Sequence, residues 1–152
     1  MKKLSFPKSK IKVLLLEKLD KSAKDIFVKE GYNVETYDGS LNEEELISKI
    51  KNISILGIRS KTYISKKVID SADRLLSIGA FCIGTNQINL EECEKAGITV
   101  FNAPYSNTRS VVEIVIGQII NLMRSVVEKS NDLHEGTWRQ DSINSYEIRN
   151  KV

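Results

Sequence analysis

Ile11-Lys-Val-Leu-Leu-Leu16 is a short apolar run, and the segments that follow it decide the fold. A brief apolar stretch of this kind, bounded by polar residues, is the signature of a strand covered on both faces. Lys21 to Glu30 then sets Ala23, Ile26 and Phe27 at helical spacing, and Gly31 supplies a stop. In Tyr32 to Tyr37 the residues Tyr32, Val34 and Thr36 alternate with polar Asn33 and Glu35, the pattern of a second strand.

The same alternation continues along the chain. Asp38-Gly39 reads as a turn, and Asn42 to Ile50 reads as a helix with acids in its first turn and Leu46, Ile47 and Ile50 facing inward. Ile53 to Ile58 is a third strand, a helix from about Ser65 carries Val68, Ile69 and Ala72, and Leu75 to Ala80 is a fourth strand. Asn89-Leu-Glu-Glu92 has the spacing of a reciprocal cap, with the Asn89 oxygen accepting a backbone N–H and Glu92 reaching back. That helix ends at Ala96-Gly97, and Ile98 to Phe101 is the fifth strand. Five strand–helix steps in strict order imply an α/β fold. We expect a flavodoxin-like five-stranded parallel sheet with helices on both faces, its usable crevice at the carboxyl ends of the strands.

From Thr108 the pattern changes. A helix from about Arg109 to Val127 is apolar almost all round, which marks an element that needs neighbours on several sides. One small sheet cannot supply them, so an exposed apolar patch is expected. Asn131 to Asn150 is polar, with Trp138 and Tyr146 as isolated aromatics, and Arg149-Asn-Lys-Val152 looks like the approach to another strand. The expected division is a tail over 1–9, a sheet domain over 10–104, and an interdomain helix with the start of another domain over 105–152.

Composition narrows the function classes. With 152 residues and a net charge of +3, the chain can build one core, and its charge is too mild to argue for nucleic acid. The basic start (Lys2, Lys3, Lys8, Lys10, Lys12) reads as a solvated tail. No run approaches the ~20 apolar residues of a membrane span. Cys82 and Cys93 are not in a CxxC spacing, and with one histidine there is no zinc constellation. Two isolated thiols suit a reducing cytoplasm, as small buried or half-buried side chains.

Candidate chemistry gathers in the loops after the strands. Arg59-Ser-Lys-Thr62 offers two cations flanking a hydroxyl, which suits phosphate or carboxylate, although the same residues would also make an ordinary solvated turn. Gly79-Ala-Phe-Cys-Ile-Gly84-Thr-Asn-Gln87 has glycines that permit close backbone approach, is not the G-x-G-x-x-G dinucleotide fingerprint, and would also serve as a plain tight connection. Ser106, Asn107 and Thr108 would cap the apolar helix and expose backbone N–H groups able to hold an anion. His134, in a polar segment without a carboxylate or nucleophile beside it, reads as a surface histidine. Glu43-Glu-Glu45 reads as a solvated helix start.

Three runs carry a resemblance. Gly57-Ile-Arg-Ser-Lys-Thr62, Ile78-Gly-Ala-Phe-Cys-Ile-Gly-Thr-Asn-Gln87 and Val100-Phe-Asn-Ala-Pro-Tyr-Ser-Asn-Thr-Arg-Ser110 closely resemble the 3-phosphoglycerate-oxidising branch of the NAD-dependent D-2-hydroxyacid dehydrogenase family. The likeness runs from about Lys10 to Val152. It implies hydride transfer from C2 of 3-phosphoglycerate to NAD, a step toward serine. It also implies that Arg59, Ser60, Lys61 and Asn107 meet the substrate, and that Ile83 and Gly84 lie beside the nicotinamide. A homo-oligomer formed through the 109–127 helix is a further implication. Departures from the family pattern are Lys61 in place of an arginine, Asp38 where a lysine is common, and Gln140 in place of a lysine that Arg139 would replace. The resemblance places the catalytic Arg, Glu and His, together with the dinucleotide fingerprint, beyond Val152. The chain is therefore expected to hold no catalytic residue and to be an amino-terminal portion that does not turn over by itself. Another member of the family, or a non-catalytic anion-binding or dimerisation module, are the alternative readings.

Overall fold

Each apolar run becomes a four-residue strand: β1 (Lys12–Leu15), β2 (Asn33–Thr36), β3 (Ile55–Ile58), β4 (Ser77–Ala80) and β5 (Thr99–Asn102). All pair in parallel, in the order β2-β1-β3-β4-β5, with Leu15 opposite Gly57 and Gly57 opposite Gly79. This is the expected flavodoxin-like order. The computed structural model describes residues 6–138 and 140–149. These belong to two compact units, Met1–Ser106 and Asn107–Val152.

In the first unit the helices between strands are α1 (Lys21–Lys29), α2 (Glu43–Ile50), α3 (Lys66–Asp70) and α4 (Leu90–Lys95). Val13, Leu14, Leu16, Leu46, Ile50, Leu56, Ile58, Val68 and Ile78 are closed off from solvent, which places the core between the central strands and the faces of α2, α3 and α4. Leu46 and Ile50 are fully buried as their spacing predicts, and Ile47 is partly buried against the same cluster. The α1 side is thinner. Its Ile26 and Val28 are more than half exposed, because β2 is the edge strand and gives α1 little sheet to cover.

The caps differ from expectation at one point. Asn89 Oδ1 accepts from Glu92 N, but Glu92 does not reach back. The Asn89 amide is already donated to Ile64 O at 3.0 Å, and the Glu92 carboxylate goes instead to Lys66 and Lys95. The complete reciprocal box forms at Asn42 and Glu45, at 2.9 and 3.0 Å. Nor is the basic start wholly solvated. Lys8 pairs with Glu30 at 2.6 Å and stands 5.3 Å over the Tyr32 ring.

In the second unit the single long helix is two: α5 (Thr108–Met123) and α6 (Val126–His134), bent by 63°. The break comes at Ser125, whose φ of 48° lies in the left-handed region, and its hydroxyl donates to Asn144 O at 2.6 Å. The following segment returns to this break. Tyr146 N donates to Met123 O and Ser145 Oγ to Arg124 O. α5 has no buried residue, with Ile114 62% and Leu122 74% exposed, so the expected apolar patch is present. Among the described residues no single helix is long and apolar enough to cross a membrane. Lys2, Lys3, Arg139 and the strand approach at Asn150-Lys-Val152 lie outside the described residues.

Candidate functional site

In a 2-1-3-4-5 sheet the chain leaves β1 toward one edge and resumes at β3 on its other side, so the loops after β1 and β3 part and open a crevice at their carboxyl ends. A cavity of about 620 Å³ lies at this point. Its lining brings together Arg59, Ser60 and Lys61 after β3 with Glu17 and Lys18 after β1. Asp38, Gly39 and Ser40, after β2, complete it.

The loop carrying the two cations is held from both neighbouring strands. The Glu17 carboxylate accepts from Thr62 N at 2.8 Å and from Lys61 N at 3.0 Å. On the other side Gln87 Nε2, from the loop after β4, donates to Arg59 O at 2.7 Å. Glu17 is 8% and Gln87 5% exposed, so neither contact competes freely with water. The Glu17 amide in turn donates to Gly39 O at 2.9 Å, tying the Asp38-Gly39 turn to the same frame. Burial acts to raise the Glu17 carboxyl, but the amides of Thr62 and Lys61 outweigh it and hold it below its ordinary value.

This frame carries strain. Glu17 and Lys18 sit at φ 63° and 51°, in the left-handed region. That conformation costs a side-chain-bearing residue roughly 1–2 kcal/mol. Hydrogen bonds from buried amides to a carboxylate contribute about 1.5–3 kcal/mol, enough to offset the strain at Glu17. Among the described residues nothing comparable acts at Lys18.

The predicted residues are not all in one place. Arg59, Ser60 and Lys61 share the cavity, whereas Ile83 and Gly84 do not line it. Ile83 is 43% exposed, and its carbonyl accepts from Asn102 Nδ2 at 2.8 Å. A Cβ on Gly84 would stand 2.8 Å from Asn86 Oδ1, a contact that a turn of the Asn86 side chain would relieve. Asn107 is the N-cap residue of α5, in the second unit. Its side chain makes no capping bond, and Ser106 Oγ donates back to Ala103 O instead. His134 closes α6 with Nδ1 2.8 Å from Ser130 O. Among the described residues no His, Cys, Asp or Glu cluster could hold a metal ion.

Sequence reading did not place Glu17 or Lys18 in the site, and it quoted Gln87 in the loop after β4 without giving it a role. The available signal was positional: the loop after the first strand flanks the switch point of this sheet order, as the loop after the third strand does.

Comparison with known proteins is consistent with this geometry. Residues 13–150 match the D-isomer specific 2-hydroxyacid dehydrogenase catalytic domain. The D-3-phosphoglycerate dehydrogenase of Dictyostelium discoideum is 48% identical over 97% of the chain, and that of Escherichia coli K12 44% over 99%. The chain spans only 36% and 37% of those relatives' lengths, about a third. An NAD⁺-bound 3-phosphoglycerate dehydrogenase structure from Entamoeba histolytica superposes with a TM-score of 0.64 at 26% identity, over 75% of this chain and 39% of that one.

Proposed function

The chain belongs to the D-isomer specific 2-hydroxyacid dehydrogenase family, and on that premise we propose that it is the substrate-recognising portion of a D-3-phosphoglycerate dehydrogenase. The observation that carries this reading is the clamped loop Arg59–Lys61, whose exposed cations line a cavity at the switch point of the sheet. A substrate with a phosphate at one end and a carboxylate at the other needs cations spread along a groove, and the loop supplies two. The Arg59 guanidinium can grip an oxyanion with paired N–H groups, Lys61 adds a compact charge, and Ser60 a hydroxyl donor. Asn107 is proposed as a further polar contact on the substrate. The clamp is what makes these groups useful, since a loop ordered before binding loses less entropy on binding.

NAD is the proposed cofactor, and when bound it accepts the hydride from C2 of the substrate. Ile83, which exposes an apolar side chain, and Gly84 beside it are proposed to meet its nicotinamide end. The sequence contains no G-x-G-x-x-G, and we assign no pyrophosphate contact to it. Accordingly we assign substrate and nicotinamide contacts to this chain and no catalytic acid or base. The unit over 107–152 is proposed as an interdomain element that leads toward a nucleotide domain and joins a second copy through residues 109–127. Localisation is proposed as cytoplasmic.

The test is titration calorimetry on the 152-residue chain. 3-Phosphoglycerate should bind, D-lactate should bind at least tenfold more weakly, and Arg59→Ala should abolish measurable heat. Equal affinity for the two ligands would favour another member of the family. Mixed with NAD and 3-phosphoglycerate, the chain should form no NADH.

A further inference from the structure

Lys18 is an anomaly in the fold. It holds a left-handed backbone at φ 51° that glycine would adopt without strain, and among the described residues its side chain, unlike that of Glu17, makes no bond to offset that. Lys18 also lines the cavity that holds Arg59, Ser60 and Lys61, and it lines a neighbouring cavity of about 420 Å³ as well. It thus stands at the junction between the two. Among the described residues none of Lys18, Arg59 and Lys61 takes part in an ion pair, whereas Lys8, Lys49, Lys66, Lys67, Lys95 and Lys129 all do.

Two acids share the lining. Glu17 is committed to the amides of Lys61 and Thr62, and Asp38 pairs with none of the three cations. The cavity lining therefore sets three cations against two carboxylates, a net positive balance that suits an oxyanion. Glu17 connects the two sides. The backbone turn that seats its carboxylate under Lys61 and Thr62 also brings the next residue to the cavity wall.

We propose that Lys18 is a third substrate-binding cation, contacting the phosphate of a phosphorylated 2-hydroxy acid held by Arg59–Lys61. This rests on the functional reading given above. It assigns Lys18 a share of the charge at the place where Asp38 supplies the opposite sign.

The test exploits the backbone. Lys18→Gly removes the charge and relieves the left-handed conformation together, and Lys18→Arg keeps the charge. By titration calorimetry with 3-phosphoglycerate, Lys18→Gly should bind about tenfold more weakly than the parent chain, the loss of one charge-assisted contact. Its urea midpoint should equal or exceed that of the parent, and Lys18→Arg should bind within about threefold of it. Unchanged affinity in Lys18→Gly, beside a loss in Arg59→Ala, would overturn the role of Lys18 and leave the site reading standing. A lowered urea midpoint in Lys18→Gly, or Lys18→Arg as weak as Lys18→Gly, would also overturn it, because fold or shape rather than charge would then be at work. No binding by the parent chain would overturn both readings.

Discussion

The Glu17 carboxylate links acid stability to the shape of the site. Burial would raise its titration, yet the amides of Thr62 and Lys61 hold it below the ordinary 4.5. A carboxyl depressed in the fold contributes stability that is fully present above its unfolded value and is lost as pH falls through its folded value. The parent chain should therefore lose stability below about pH 4.5 more steeply than Glu17→Gln, in urea melts run at a series of pH values. At neutral pH Glu17→Ala should cost about 2–3 kcal/mol, since the buried Thr62 amide and the part-buried Lys61 amide lose their acceptor. Nothing in local sequence marks Glu17: its neighbours Leu16 and Lys18 give it no motif, and its partners lie 44 and 45 positions away. Arg59, Ser60 and Lys61 were legible because their chemistry is concentrated in one short run. Glu17 and Gln87 act through the backbone of that run, and sequence spacing does not encode such contacts.

Among the elements, β3 carries the site and depends on close contact with its neighbours. A Cβ on Gly57 would stand 2.6 Å from Leu15 Cδ2 and 3.2 Å from Phe81 Cε2. Gly57→Val should cost about 2–3 kcal/mol through overpacking, and it should weaken 3-phosphoglycerate binding by displacing the strand end that delivers Arg59. Denaturant melts and calorimetry on the same sample check both. The contact between α3 and α4 behaves differently. Lys66 and then Lys95 hold the Glu92 carboxyl down at about 2, so this pairing should persist through the acid range in which the Glu17 clamp fails. It is exposed to salt, however. Any drop in thermal midpoint for Glu92→Gln should shrink as sodium chloride rises toward about 1 M, where the screening length is only about 3 Å. Strand order, helix order and most inward faces were readable because apolar periodicity records which side is buried. The break at Ser125 was not, since the apolar pattern runs through it and the tertiary hydrogen bonds of the 142–146 segment set the bend.

At the scale of the whole molecule, the two units differ in what they bury. The sheet unit has a closed core, and Leu46→Ala there should cost about 3 kcal/mol and lower the thermal midpoint accordingly. α5 instead leaves Val111, Ile114, Val115, Ile116 and Leu122 exposed, and exposed apolar residues grouped on one element favour association. Sedimentation at increasing concentration should show association, and Ile116→Glu should shift the distribution toward monomer; clean monomeric behaviour of the parent would contradict the proposed contact between copies. Taken alone, the sequence determined the alternating parallel architecture, the anion-suited loop after the third strand and the family likeness. Each of these is written in residues adjacent along the chain, as periodicity or as a contiguous run. Tertiary structure alone decided that Glu17 and Gln87 brace that loop, that Lys18 lines the same cavity, and that the apolar helix breaks at Ser125. Those features depend on groups apart in sequence: the loops after β1, β3 and β4 meet only once the strands have paired, and Ser125 meets Asn144 only when the 142–146 segment folds back.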